Sequence, residues 1–272
     1  MTKHSPLSDT DALKRNRARA NPDLLYLHHA AAEDVQDRLS LVNKRFTSVA
    51  IVTPFPEIWK DAWPDAHFIP DTETLALQVG AHDLVVHGLC LHWSNDPVGQ
   101  LIQCRRALKP DGLMIATLFG GQTLNELRVC LSEAEVALTG GLSPRIAPMG
   151  EIRDLGALLQ RAGFALPVAD STLIKGDYPS MIHLMQELRG MGEGNALAGR
   201  TRAPTRSKLF DHASTLYARH YGNPQGRILA TFEFVTLTGW APDESQQKPL
   251  RPGSARQRLA DALAVPEIKL PD

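Results

Sequence analysis

The chain has only three cysteines, Cys90, Cys104 and Cys130, and no close pair among them. That spacing argues against a zinc knuckle or a Cys-x-x-Cys redox centre and fits small buried thiols in a reducing compartment. No apolar run approaches the roughly 20 residues that span a bilayer, so no integral membrane segment is expected. Charge of one sign is lacking as well. Twenty-nine Lys and Arg face thirty Asp and Glu, and the net charge of -1 leaves no global field to draw nucleic acid or anionic lipid. Near the N-terminus stand Lys14, Arg15, Arg17 and Arg19, but Asp9 and Asp11 break the run and no apolar core follows. A secretory signal is therefore not expected, and a mitochondrial presequence has weak support. The location read from these features is the bacterial cytoplasm, with the mitochondrial matrix less favoured.

What is present is 272 residues, 43% of them hydrophobic, enough for one large packed domain or two small ones. Leu24, Leu27, Ala31, Val35 and Leu39 recur at helical spacing and predict one or two amphipathic helices over residues 11–38. Short β-branched runs at 48–53, 66–70 and 84–87 read as strands, the first stopped by Pro54 and Pro56. A helix is expected over 97–108, a turn at Lys109-Pro110-Asp111-Gly112, and a strand over 113–118. Helices at 122–138 and 149–162, a strand at 164–174, a helical stretch at 178–221 and an alternating strand at 226–239 complete the order. One further helix is expected near 254–264.

Strand, helix and strand in succession imply a parallel α/β sheet, finished by an antiparallel pair with a helical lid between its strands. The organisation expected is N-terminal helices at 1–45, an α/β core at 46–175, the lid at 176–226, and the last strand with a tail at 227–272. Such sheets bind ligands beyond the carboxyl ends of their strands.

Three stretches carry the chemistry: Asp83-Leu-Val-Val-His-Gly-Leu-Cys-Leu-His-Trp-Ser-Asn-Asp-Pro97, Leu108-Lys-Pro-Asp-Gly112, and Phe119-Gly-Gly-Gln-Thr-Leu-Asn-Glu-Leu-Arg128. Further along stand Tyr178-Pro-Ser-Met181, Gly190-Met-Gly-Glu-Gly-Asn195, Tyr221-Gly-Asn223, Gly239-Trp240, Glu244-Ser-Gln246 and Gly253-Ser-Ala255. Together they resemble the class I S-adenosylmethionine (SAM)-dependent methyltransferases, and within them the family of the mitochondrial complex I assembly factor that hydroxylates an arginine, with its alphaproteobacterial members. The resemblance covers most of residues 83–255. It implies a Rossmann-like methyltransferase sheet and a protein client, a subunit of the respiratory NADH dehydrogenase. Alternatives are an active SAM-dependent methyltransferase or arginine hydroxylase, and a non-catalytic scaffold in a methyltransferase complex.

The chain departs from that pattern in its first loop. A methyltransferase uses glycines there to bring backbone amides up to the cofactor, whereas this chain reads Thr53-Pro54-Phe55-Pro56-Glu57. Two prolines remove two donors and Glu57 adds a negative charge, so the SAM site reads as degenerate and the chain as a possible pseudoenzyme. The interval before the strand at Leu84 also leaves room for only one intervening strand. Aligned with the family, residues 66–71 fall on the third strand, so one early βα unit, containing the second strand, reads as deleted.

The residues expected to remain around a cofactor are Thr53, Phe55, Asp71, Thr72, His87, Gly88 and Leu89. His92 and Trp93, just past a strand end, are the candidates for catalysis, with packing as the competing account. Asp96 before Pro97 fits an N-cap. Tyr178, Glu187, Glu193, Asn195 and Trp240 are expected to line the client cleft under the lid, where a carboxylate could pair with an arginine. An iron site would call for two histidines and a carboxylate, for which His87, His92 and Asp96, or His29 and Glu33, are the candidates; no metal site is expected on balance.

Overall fold

The structure, a computed structural model, describes residues 5–247. The helix expected near 254–264 and the Gly253-Ser254-Ala255 segment lie outside the described residues. The described residues up to Pro242 form one compact unit, and those from Asp243 onward fall outside it.

Among the described residues this unit holds six strands: β1 (Val49–Val52), β2 (His67–Ile69), β3 (His82–Gly88), β4 (Leu108–Phe119), β5 (Ala165–Tyr178) and β6 (Ile228–Trp240). Their order in the single sheet is β2-β1-β3-β4-β6-β5. The pairs among β1 to β4 are parallel, and β6 runs antiparallel to both β4 and β5. Only β6 is therefore reversed. The helices are α1 (Thr10–Arg17), α2 (Tyr26–Ser40), α3 (Glu57–Lys60), α4 (Pro97–Ala107), α5 (Asn125–Thr139), α6 (Ile152–Arg161), α7 (Met181–Gly190) and α8 (Ser207–Tyr221).

Strands covered on both faces need continuous apolar runs, and β1, β3 and β4 have them. Ile51, Leu84, Val86, Leu113 and Ile115 pack on one side with Trp59, while Ala50, Val52, Val85, Met114 and Ala116 pack on the other. A separate cluster joins α2, α5, α7 and α8 through Leu27, Leu127, Leu184 and Tyr217. Arg38 of α2 adds a bidentate pair to Asp170 of β5 at 2.7 and 2.6 Å.

Two expectations are corrected. The turn at 109–112 is absorbed into β4: Leu108 still pairs with His82, the register then shifts, and Asp111 takes a left-handed φ of 58°. More consequential is β2, which pairs directly with β1 through Ala50 with His67 and Val52 with Ile69. It fills the place of a second strand, and the vacant position is the sheet edge beyond it. Asp71 consequently follows the strand beside β1, where an acidic residue holds ribose hydroxyls in nucleotide-binding sheets.

Burial also makes the core sensitive to acid. His87 is fully buried, and that burial pulls its ring down to about 4; His28 is drawn to about 4 for the same reason. Both groups start from an ordinary value of 6.5, so between pH 6.5 and about 4 the unfolded chain binds more protons than the folded one. Stability should fall as pH is lowered through that window, by about 2 kcal/mol per ring at pH 5, and the contribution of these two rings levels off below it. Urea titrations at pH 7 and pH 5 measure this. A His87→Gln variant should lose less between the two pH values, and an unchanged loss would count against the assignment.

Candidate functional site

The chain passes from β1 outward to β2 and then back to β3 on the other side, so the switch point lies at the carboxyl ends of β1 and β3. Helix α1 lies over this point. Asp9 caps it by accepting from Ala12 N at 2.9 Å, and Ala12 and Leu13 are buried beneath it. Its last turn delivers Arg17, which is ion-paired to Asp71, with side chains only 9% and 13% exposed.

A cavity of about 570 Å³ opens here, within the ~300–1,000 Å³ usual for small-ligand sites. Leu13, Lys14, Arg17, Pro54, Asp71, Thr72, Cys90, Trp93 and Gln100 are among its walls. Arg17 Nε and Nη2 have no hydrogen-bond partner although both are buried. Gln100 ties the wall together, meeting His87 Nε2 at 2.9 Å and donating to the Thr72 carbonyl at 3.0 Å.

Of the seven residues expected around a cofactor, Asp71 and Thr72 lie in these walls, and the other five do not. Thr53 is buried, and its hydroxyl accepts from Phe55 N at 3.1 Å. Phe55 turns away to meet His28 edge-on, ring centroids 4.7 Å apart. His87 is occupied by Gln100 and by Cys90 Sγ, the latter at 3.3 Å from Nδ1. Gly88 answers to packing: a Cβ there would stand 2.4 Å from the Trp59 ring. Leu89, at φ 47°, is fully buried in the cluster of α2, α5, α7 and α8.

A second cavity, of about 180 Å³, lies on the far side of Trp93, which lines both. Phe119, Leu127, Met149, Met185, Leu188, Phe210 and Phe232 make it largely apolar, with Glu193 and Arg145 also in its wall and Arg145 paired to Glu135 at 2.6 Å. Its volume suits one side chain better than a whole ligand. Helices α7 and α8 of the lid supply Met185, Leu188 and Phe210 to these walls.

Glu193 is held by two rings and faced by a third. Trp93 Nε1 donates to Oε2 at 2.6 Å, His92 Nε2 lies 3.2 Å from the same oxygen, and His28 Nε2 is 3.9 Å from Oε1. Burial alone would raise this carboxyl, yet the His92 contact and the nearby Arg17 charge outweigh it and draw the group down to about 2. Glu193 is thus ionised at neutral pH. Its Oε1 has no hydrogen-bond partner.

The remaining expected residues scatter. Tyr178 is buried with its hydroxyl bonded to that of Tyr26, and Glu187 pairs with His183 at 3.4 Å, so neither lines the cleft. Asn195 does line it, with its amide donating to the Pro144 carbonyl at 2.9 Å and accepting from Leu197 N at 3.0 Å. Trp240 is a correction. It ends β6 opposite Leu113, midway along β4 and away from that strand's carboxyl end, and Lys44 stacks on it 5.4 Å from the ring centroid.

Among the iron candidates, Asp96 caps α4 by accepting from Gly99 N at 2.8 Å, and His29 and Glu33 are exposed. Among the described residues no group of three or more His, Cys, Asp or Glu is arranged to hold a metal. Sequence reasoning passed over Arg17, His28 and Gln100. A basic residue inside an otherwise amphipathic N-terminal helix was the available signal for the first.

A sheet with one reversed strand, a ligand cavity at its switch point and an acidic residue after the strand beside β1 define a methyltransferase-type α/β protein. The Methyltransferase domain family matches residues 29–116. A methyltransferase-named protein of Rickettsia prowazekii (strain Madrid E) is 34% identical over 161 residues, covering 59% of this chain and 71% of its own length. The chain belongs to the class I SAM-dependent methyltransferase family.

Within that family it is similar to the mitochondrial arginine-hydroxylase NDUFAF5 of Danio rerio, 39% identical over 199 residues. The human protein of the same name is 41% identical over 192 residues. The matches take in 73% and 71% of this chain but 62% and 55% of those relatives, so the chain spans roughly three fifths of their length. Both are mitochondrial by name, which overturns the cytoplasmic location expected from the N-terminal sequence.

Proposed function

We propose that this chain serves the assembly of respiratory complex I by engaging an arginine side chain of a protein subunit in the second cavity, with SAM taken up in the first. The support rests chiefly on Glu193, an ionised carboxylate with one unpartnered oxygen in the wall of an apolar cavity sized for one side chain. A long apolar stem carrying a planar cation is what such a cavity suits. The names of the Danio rerio and human relatives, each an arginine-hydroxylase, agree with this.

The first cavity fits SAM in part. Asp71 and Thr72 stand where nucleoside hydroxyls would be held, and its volume is adequate. When bound, SAM supplies a sulfonium-activated methyl group. The proline-flanked elbow offers fewer amide donors than a glycine loop, so binding should be weaker than in glycine-loop relatives. Trp93 divides the two cavities and fixes Glu193 through its indole N–H. His92 supports the same oxygen and becomes a positioning residue in this reading.

Deleting the chain from its native cells and measuring assembled NADH dehydrogenase in their membranes tests the proposal. Assembly should fall, be restored by the wild-type chain and not by Glu193→Gln. Mass spectrometry of the accumulated subunits should find one arginine that has lost an added oxygen or an added methyl. Normal assembly in the deletion strain would contradict the proposal.

A further inference from the structure

We propose that Arg17 is the carboxylate anchor of the first cavity, doing from helix α1 what glycine-loop amides do in relatives of this fold. The inference rests on the reading that this cavity takes an adenosyl amino acid.

The elbow has little left to give. Pro54 and Pro56 have no N–H, Thr53 N is bonded to the Ile69 carbonyl at 3.0 Å, and Phe55 N is bonded to Thr53 Oγ1 at 3.1 Å. A ligand carboxylate arriving there would find those donors absent or spent, and it would have to be buried without them. Arg17 answers that need. Its side chain is nine-tenths buried, it lines the cavity, and Asp71 holds Nη1. Nε and Nη2 have no partner.

Those two nitrogens form one edge of the guanidinium, the edge that meets both oxygens of a carboxylate at once. Asp71 therefore orients the fork through Nη1 and leaves its bidentate side unpartnered. Leaving such donors buried and unsatisfied is costly, which is an argument for a ligand there. Lys14, one turn earlier on α1, lines the same cavity and adds positive charge. Glu193, the nearby buried anion, belongs to the walls of the other cavity.

The test is calorimetric titration of the full chain with three probes: S-adenosylhomocysteine, decarboxylated S-adenosylhomocysteine, which lacks only the carboxylate, and 5′-methylthioadenosine, which lacks the amino acid altogether. Wild type should bind S-adenosylhomocysteine roughly tenfold to a hundredfold more tightly than its decarboxylated analogue. Arg17→Met should erase that advantage while still binding methylthioadenosine, which also reports an intact fold; Arg17→Lys should recover part of it. Equal wild-type affinity for the first two probes overturns the anchor whether or not the variant folds. So does full retention of S-adenosylhomocysteine binding in Arg17→Met, and either result leaves the nucleoside reading of the cavity standing. Failure of wild type to bind any of the three overturns both.

Discussion

Replacing Glu193 by glutamine should weaken binding of an arginine-centred peptide by about thirtyfold or more. The figure follows from the ~2–5 kcal/mol lost when one partner of a desolvated charge pair is truncated, at 1.4 kcal/mol per tenfold. Glutamine keeps the shape of the side chain and can still accept from Trp93 Nε1, so the loss isolates charge from packing. Fluorescence anisotropy with a short labelled peptide bearing a single arginine among neutral residues measures it. A matched peptide with glutamine in place of arginine should bind poorly to wild type and no worse to the variant. Equal affinity of the arginine peptide for both proteins would remove Glu193 from client recognition.

The second large effect concerns Trp59 and Gly88, and it separates packing from cofactor contact. Trp59 is 1% exposed and fills the face of the sheet under Ile51, Val86 and Ile115. Its replacement by alanine should cost about 3–5 kcal/mol. That corresponds to a fall in Tm on the order of 10 °C for a domain of this size. Gly88→Ala places a Cβ 2.4 Å from the indole and should cost ~1–3 kcal/mol by overpacking. In a Trp59→Leu background the indole is gone, and the penalty for Gly88→Ala should shrink. Thermal unfolding of the four proteins completes the cycle. An undiminished penalty in the double variant would return Gly88 to the cofactor side of the account.

Much of the fold was legible because its core strands carry apolar runs that only a doubly covered sheet can bury. Val49–Val52, His82–Gly88 and Leu113–Leu118 were placed within a few residues for that reason. The antiparallel finish and the helical lid were legible from the alternation in 228–240 and the helical spacing before it. Pairing partners were less so. Nothing in His67–Ile69 itself states that it lies beside β1, because a three-residue strand carries its hydrogen bonds in the backbone, where side-chain pattern is silent.

The site divided along the same line. Asp71, Thr72, Trp93, Glu193 and Asn195, expected from their places after strand ends or in the lid, do line the two cavities. Trp240 misled because β6 is reversed, so its last residue lies at the opposite edge from the carboxyl ends of β1, β3 and β4. Gly88 misled because a glycine in a strand can serve a neighbouring ring as well as a ligand. Arg17 escaped notice because its partner Asp71 is 54 residues away, a contact that no local spacing announces.

We propose, then, a nucleoside-binding cavity behind a proline-flanked elbow, walled by Arg17, Asp71 and Thr72 and separated by Trp93 from a pocket for one cationic side chain. A crystal structure grown with saturating S-adenosylhomocysteine is the decisive measurement. Density is expected for the nucleoside against Asp71 and Thr72, its carboxylate on Arg17, and Phe55 still packed on His28. Density elsewhere, or a cavity filled only by water at saturation, would contradict it.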